Sequence, residues 1–199
     1  MDQYLAGNKV RVSGTYFYTR IVQVTLFDSS STVINSRTDP FGRTSGYFNG
    51  AGGISRGVEL SAEGRPSRST LLSTSYTYTN ADTDRDTQVR GFFRAFAIPA
   101  HTLTLMGNQQ IGKKTDVTAD LYQAASYFNP LFAAGRTRAY QYPSLTKLDV
   151  VVSRAIWASG LRTLRCYVKV DNLLNREYYE TGFRTPSITW ITGLRMTFQ

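Results

Sequence analysis

Residues 161–171 read Leu161-Arg162-Thr163-Leu164-Arg165-Cys166-Tyr167-Val168-Lys169-Val170-Asp171. Leu164, Cys166, Val168 and Val170 alternate with Thr163, Arg165, Tyr167, Lys169 and Asp171. Successive strand side chains point to opposite faces, so this run makes a strand with one apolar and one polar surface. The pattern repeats on both sides. Downstream, Ile188, Trp190, Thr192, Leu194, Met196 and Phe198 oppose Thr189, Ile191, Gly193, Arg195 and Thr197. Upstream, Leu148, Val150, Val152 and Ile156 oppose Lys147, Asp149 and Ser153.

Earlier segments carry the same period. Val58, Leu60 and Ala62 alternate with Glu59, Ser61 and Glu63, and Leu72, Tyr76 and Tyr78 with Ser73, Ser75 and Thr77. Val117, Ala119 and Leu121 alternate with Asp116, Thr118 and Asp120, while Leu103 and Leu105 alternate with Thr102 and Thr104. Val10, Val12, Tyr16 and Tyr18 follow suit, with Phe17 breaking the rule. Eight strands are expected, near 8–26, 46–64, 67–81, 99–111, 114–128, 144–156, 161–173 and 187–198. Arg65-Pro66-Ser67, Ile111-Gly112-Lys113-Lys114 and Ala158-Ser159-Gly160 are short links; 28–45, 82–98, 129–143 and 174–186 are long ones. Short and long links alternate strictly. That is the wiring of an antiparallel transmembrane β-barrel, with tight periplasmic turns and long outer loops.

Composition agrees. The 199 residues include 13 Tyr, 11 Phe, 24 Thr and 17 Ser, which favour strands. No stretch approaches the roughly 18–20 apolar residues of a transmembrane helix. The single Cys166 excludes an internal disulfide and a multi-cysteine zinc site, and the single His101 excludes any scheme that needs two histidines. Neither a metal nor another cofactor is expected, and no catalytic constellation is present. Residues 1–7 show no basic segment followed by an apolar one, so no secretory signal is read there.

Periodicity fits a soluble sandwich or lipocalin-like binder as well as a membrane barrel, because only the solvent facing each surface differs. Three features favour lipid. Charged residues such as Glu59, Glu63, Arg165, Lys169 and Asp171 suit a wet lumen wall. Tyr16, Tyr18, Tyr76, Tyr78, Trp157, Trp190 and Phe198 gather toward strand ends, as interfacial girdles do. The third is the alternation of link lengths.

Several motifs then carry a family resemblance. Tyr167-Val168-Lys169-Val170-Asp171-Asn172-Leu173-Leu174-Asn175-Arg176-Glu177-Tyr178-Tyr179 and Ile191–Phe198 resemble the last two strands of TonB-dependent outer-membrane receptors. Ser55–Leu60, Ser75–Ala81, Ile98–His101 and Tyr142–Asp149 resemble further strands of that family, in family order. The resemblance implies that 1–199 is the C-terminal β-barrel region, its last eight strands, without plug domain or signal peptide. It also implies a share in TonB-energised uptake of a ferric siderophore or similar scarce nutrient across the outer membrane of a Gram-negative bacterium. The partners so implied are outer-membrane lipid and lipopolysaccharide, the small ligand, TonB through the plug domain, and the barrel-assembly machinery. A nucleic-acid partner is not expected. The alternative is a stand-alone eight-stranded outer-membrane barrel with a structural or adhesive role, since an even count permits closure. As a fragment, the sheet is expected to have two edges, 8–26 and 187–198.

Single residues sort as follows. Asp82, Asp84 and Asp86 lack the Gly and Glu positions of a calcium loop, so a solvated loop is the reading. Gly50, Gly52 and Gly53 precede no helix and read as strand flexibility. His101 reads as structural and Cys166 as a small lipid-facing hydrophobe. The formal charge of +9 is placed on loops and lumen walls. Arg85, Arg136, Arg138 and Arg184, with Arg90 and Arg94, lie in or beside long loops. Solvation or lipopolysaccharide phosphate is the commoner use of such residues, and capture of an anionic ferric chelate the sharper one. Tyr178 and Tyr179 are candidates for stacking on a ligand or anchoring the rim.

Overall fold

The computed structural model describes residues 2–7, 9–28, 46–83, 98–133, 136–180 and 183–198. Thirteen strands are present among them, and nine form one antiparallel sheet. These are β1 (Asp2–Leu5), β2 (Val10–Asp28), β3 (Gly46–Ser67), β4 (Thr70–Thr83), β5 (His101–Ile111), β6 (Thr115–Ala124), β9 (Leu145–Ser159), β10 (Arg162–Asp171) and β13 (Thr189–Phe198), paired in that order. Two hairpins, β7–β8 (Tyr127–Ala133, Arg136–Tyr142) and β11–β12 (Tyr179–Glu180, Phe183–Arg184), stand in long links. Each of the eight expected strands has its counterpart in the sheet.

The differences are local. The short β1 pairs with Val10–Ser13 and precedes the first expected strand, so that edge of the sheet is β1 and not β2. With four residues, β1 is too short to show a period. The link expected at Arg65-Pro66-Ser67 lies one step later: β3 runs to Ser67, shifts register after Gly64, and turns at Arg68–Ser69. Strand β6 stops at Ala124, and the chain re-enters β structure at Tyr127 in a separate hairpin. A bulge beside Leu164 and Arg165 gives β9 one extra residue, which leaves both Ile156 and Trp157 exposed. The turn between Ser159 and Arg162 has Gly160 at φ 55°, a region where a Cβ is disfavoured.

The register divides the sheet into two faces. One carries Val12, Leu60, Leu72, Leu105, Val152, Val168 and Leu194, and much of it is open: Leu60 is 50% and Leu194 68% exposed. Among the described residues the buried hydrophobic side chains are Ala124 and Tyr142. Among the described residues the sheet thus shows no apolar core, and its apolar face is an open hydrophobic surface of the kind that lipid or another apolar partner covers. Of the residues expected in girdles, Tyr16 and Tyr78 flank Val58 across three strands, with His101, the first residue of β5, opposite Tyr78; β2 and β3 run on past this row to Asp28 and Gly46. Trp157 and Phe198 mark the short-turn end.

His101 has the structural role read for it. Its Nδ1 lies 2.8 Å from the Tyr76 hydroxyl, and its ring centroid 5.1 Å from that of Tyr78. Cys166 lies on the apolar face, half-buried, with its thiol 3.6 Å from the Arg154 carbonyl. Phe17, which breaks the period, falls on the polar face, where its ring lies over Gly57. The same device recurs where the Tyr167 ring covers Gly193.

The placement of charge needs correction. On the polar face, Asp2, Glu59, Glu63, Asp116, Asp120, Asp149 and Asp171 outnumber Arg11, Lys147, Arg165, Lys169 and Arg195. The lumen wall is therefore not a seat of the positive excess. In register the wall mixes one cation–acid pair, Arg11 with Glu63, with like pairs, Arg165 with Arg195 and Asp120 with Asp149, whose repulsion neighbouring opposite charges must relieve.

Candidate functional site

The polar face carries ion pairs, one between strands and two within a strand. Arg165 of β10 pairs with Asp116 of β6 across the intervening β9. Nearer the long loops, Lys147 and Lys169 each hold an aspartate two residues on, Asp149 and Asp171, at 2.9 Å. Asp149 also accepts the Asn172 backbone N–H at 2.8 Å. Pairs this wet contribute at most about 1 kcal/mol each, so their service is to fix side-chain position.

Asn172 organises the exit from β10. It is 2% exposed and has φ 54°, which Asn tolerates better than most residues. Its side-chain amide donates to the Arg176 carbonyl at 2.9 Å, and its side-chain oxygen accepts the Arg176 N–H at 3.0 Å. Asn175 accepts the Ile188 N–H at 3.0 Å, so the strand β13 begins where β10 ended. The Asp171–Asn175 motif is thus a knot that closes the base of the last outer loop.

Above this knot the loop is braced by Glu177. One carboxylate oxygen accepts the Tyr179 hydroxyl at 2.7 Å; the other takes the Arg184 guanidinium at 2.9 Å. Tyr179 and Arg184 are also direct partners in the β11–β12 hairpin. The hydrogen bond to Glu177, and then its negative charge, push the Tyr179 phenol above the ordinary tyrosine range. A raised pKa stabilises the protonated brace fully below pH 10 and loses that contribution as pH rises through the shifted value. In a titration followed by 13C-tyrosine NMR, Glu177→Gln is expected to lower the Tyr179 midpoint. An unchanged midpoint would exclude the brace.

Beside the brace lies a cleft of about 180 Å³ lined by Tyr122, Tyr127, Tyr142, Tyr178 and Tyr179 with Pro99, Ala124, Pro143 and Leu145. Tyr127 and Tyr142 face each other across the β7–β8 hairpin, with stacked rings 5.1 Å apart. Tyr142 is 6% exposed, and its hydroxyl is buried without a hydrogen-bond partner among the described residues. A buried orphan hydroxyl costs about 1–3 kcal/mol, which a ligand acceptor would offset. Five phenol rings at this end provide flat apolar surface, and the Tyr142 hydroxyl a donor, for a ligand rich in oxygen.

The candidates from the sequence separate at this point. Tyr178, Tyr179 and Arg184 come together at the cleft and its brace. Arg85, with Arg90 and Arg94, lies outside the described residues. Arg136 and Arg138 lie in β8, on the strand that carries Tyr142, but their side chains are outside the described set. Missed were Tyr122, Tyr127, Tyr142 and Glu177. Glu177 stands inside the quoted motif, next to Tyr178. The other three come from separate segments that only the register brings together.

No family model matches the chain. Over 163 residues it is 29% identical to the ferrichrome outer membrane transporter/phage receptor of Escherichia coli K12, covering 78% of this chain and 20% of that relative. It is 26% identical over 139 residues to a metal-pseudopaline receptor of Pseudomonas aeruginosa, covering 69% and 19%. The structure aligns with the outer-membrane ferripyoverdine receptor of Pseudomonas aeruginosa at TM-score 0.72 and 14% identity, covering 98% of this chain and 26% of that one. The chain matches a barrel part of TonB-dependent siderophore receptors. It spans about a fifth of the length of these curated relatives. Its fold and its place are those of an outer-membrane β-barrel. The relatives are transporters and receptors.

Proposed function

We propose that the chain forms the C-terminal part of the wall of a TonB-dependent transporter that takes up a ferric siderophore, with the tyrosine cleft as a contact for the ligand at the outer mouth. The observation that carries this reading is the cleft itself. It lies at the long-loop end, it gathers five tyrosines, and it holds a buried hydroxyl with no partner among the described residues. Relatives named for ferrichrome and ferripyoverdine support a ferric chelate as the ligand class. In such a transporter TonB acts through a plug domain, and this chain supplies strands, outer loops and lumen surface. The paired charges along the lumen face would give a plug many polar contacts without a large net field.

The stand-alone barrel fits less well. Among the described residues β1 and β13 end the strand order, and no register pair joins them.

The test is binding of ferric hydroxamate and ferric catecholate chelates to the purified chain in detergent, followed by quenching of intrinsic fluorescence. Saturable quenching is expected. Tyr178→Ala with Tyr179→Ala should weaken it at least tenfold, because each lost aromatic contact removes on the order of 1 kcal/mol. Quenching by free ferric citrate and by both chelates alike, or equal binding by the double variant, would discard the cleft as the contact.

A further inference from the structure

The short-turn end carries a charge pattern that transport does not use. Lys9, Arg65, Arg68, Lys113, Lys114 and Arg162 lie in or beside its four turns, and all six are exposed. None of the 14 acidic residues of the chain falls in those turns. The ion pairs of the described residues lie elsewhere and engage none of these cations. Lys9 and Arg65 are held together, since the Arg65 N–H donates to the Lys9 carbonyl at 2.9 Å.

Directly beside these turns the apolar face is furrowed. The register sets Val10, Gly64, Leu72, Gly107 and Ala119 in one row across five strands. Three of the five are Gly or Ala, so the row is low. A furrow of about 510 Å³ follows it, bounded on the next row by Ala62, Leu105, Leu121 and Leu148. Glu63 and Ser73 border it, although the register turns them to the polar face. The furrow faces lipid, and its Gly64 end adjoins Arg65.

We infer that this furrow and its turn cations form a binding site for one anionic phospholipid of the inner leaflet, an acyl chain in the furrow and the phosphate at Lys9, Arg65 and Arg68. Apolar burial and charge attraction act on different parts of one molecule, which a free anion does not match. Arg162, whose guanidinium lies 5.8 Å from the Phe198 ring centroid, extends the cationic band along the same interface. That girdle places the band at headgroup depth.

The test uses the full chain in detergent, titrated with dioleoyl-phosphatidylglycerol or dioleoyl-phosphatidylcholine and read by native mass spectrometry. Phosphatidylglycerol is expected to bind roughly tenfold tighter, as several nearby cations act on one headgroup. Lys9→Gln with Arg65→Gln and Arg68→Gln should abolish that preference while phosphatidylcholine binding persists. Gly107→Leu should weaken both lipids, since a Cβ there has room, meeting Leu72 at 3.5 Å, and the larger side chain fills the furrow. Arg20→Gln with Arg56→Gln, at the other end of the apolar face, should change nothing. Equal affinity for the two lipids in the wild type overturns the inference, as does an unchanged preference in the triple variant. Displacement of the lipid by millimolar inorganic phosphate would overturn it too, assigning the cations to a free-anion site.

Discussion

Asn172→Ala is expected to destabilise the chain by about 3 kcal/mol, measured as the urea midpoint of the detergent-solubilised protein. Two losses combine. Ala cannot bond the Arg176 N–H and C=O, whose partners are the Asn172 amide atoms at 3.0 and 2.9 Å. Each group left unsatisfied in a part-buried site costs about 1 kcal/mol or more. Ala at φ 54° adds about 1 kcal/mol of backbone strain. Asn172→Gly separates the two, because it relieves the strain and not the lost bonds. Gly is therefore expected to recover about a third of the loss. Full recovery with Gly would show that the amide bonds contribute nothing, and a loss below about 0.5 kcal/mol for Ala would remove the knot from the account of this loop.

The second large effect is expected at Gly57. A Cβ built there runs into the Tyr78 carbonyl oxygen and comes within 2.6 Å of the Phe17 ring. The ring can swing into the lumen. The carbonyl cannot, because β4 is held by the β3 ladder on one side and by β5 on the other. Gly57→Ala is thus expected to cost about 3 kcal/mol, at the upper end of overpacking effects, and Gly57→Val more. Phe17→Ala in the Gly57→Ala background should return only the share due to the ring. A double-mutant cycle on urea midpoints reads that share directly. If the second change restores full stability, the carbonyl yields freely and the backbone part of the argument fails.

These two positions mark where sequence reading succeeds and where it stops. The alternation of residues 161–171 predicts β10 because side-chain direction in a strand is a local property. For the same reason all eight expected strands have counterparts in the sheet, and the strict alternation of short and long links identifies which ends share a rim. Phe17 is different. It breaks the period, and its reason is Gly57, forty residues away and opposite it in the register. The cleft is hidden in the same way. Tyr178 and Tyr179 stand out in the sequence, but Tyr122, Tyr127 and Tyr142 are ordinary strand tyrosines until pairing of β6 with β9, and of β7 with β8, carries them to one place.

Charge gives the last contrast. The sequence by itself determines a +9 chain with period-2 strands, hence a sheet with one apolar and one polar face, because period and composition are properties of consecutive residues. Where that charge sits depends on residues far apart in the chain. Alternation already turns Glu59, Glu63, Asp116, Asp120 and Asp149 to the polar face, but only the tertiary structure decides which charges meet across strands, and that Lys9, Arg65 and Arg68 share a rim above a row of small residues. Strand register decides both, and register is a contact between segments that no single segment contains.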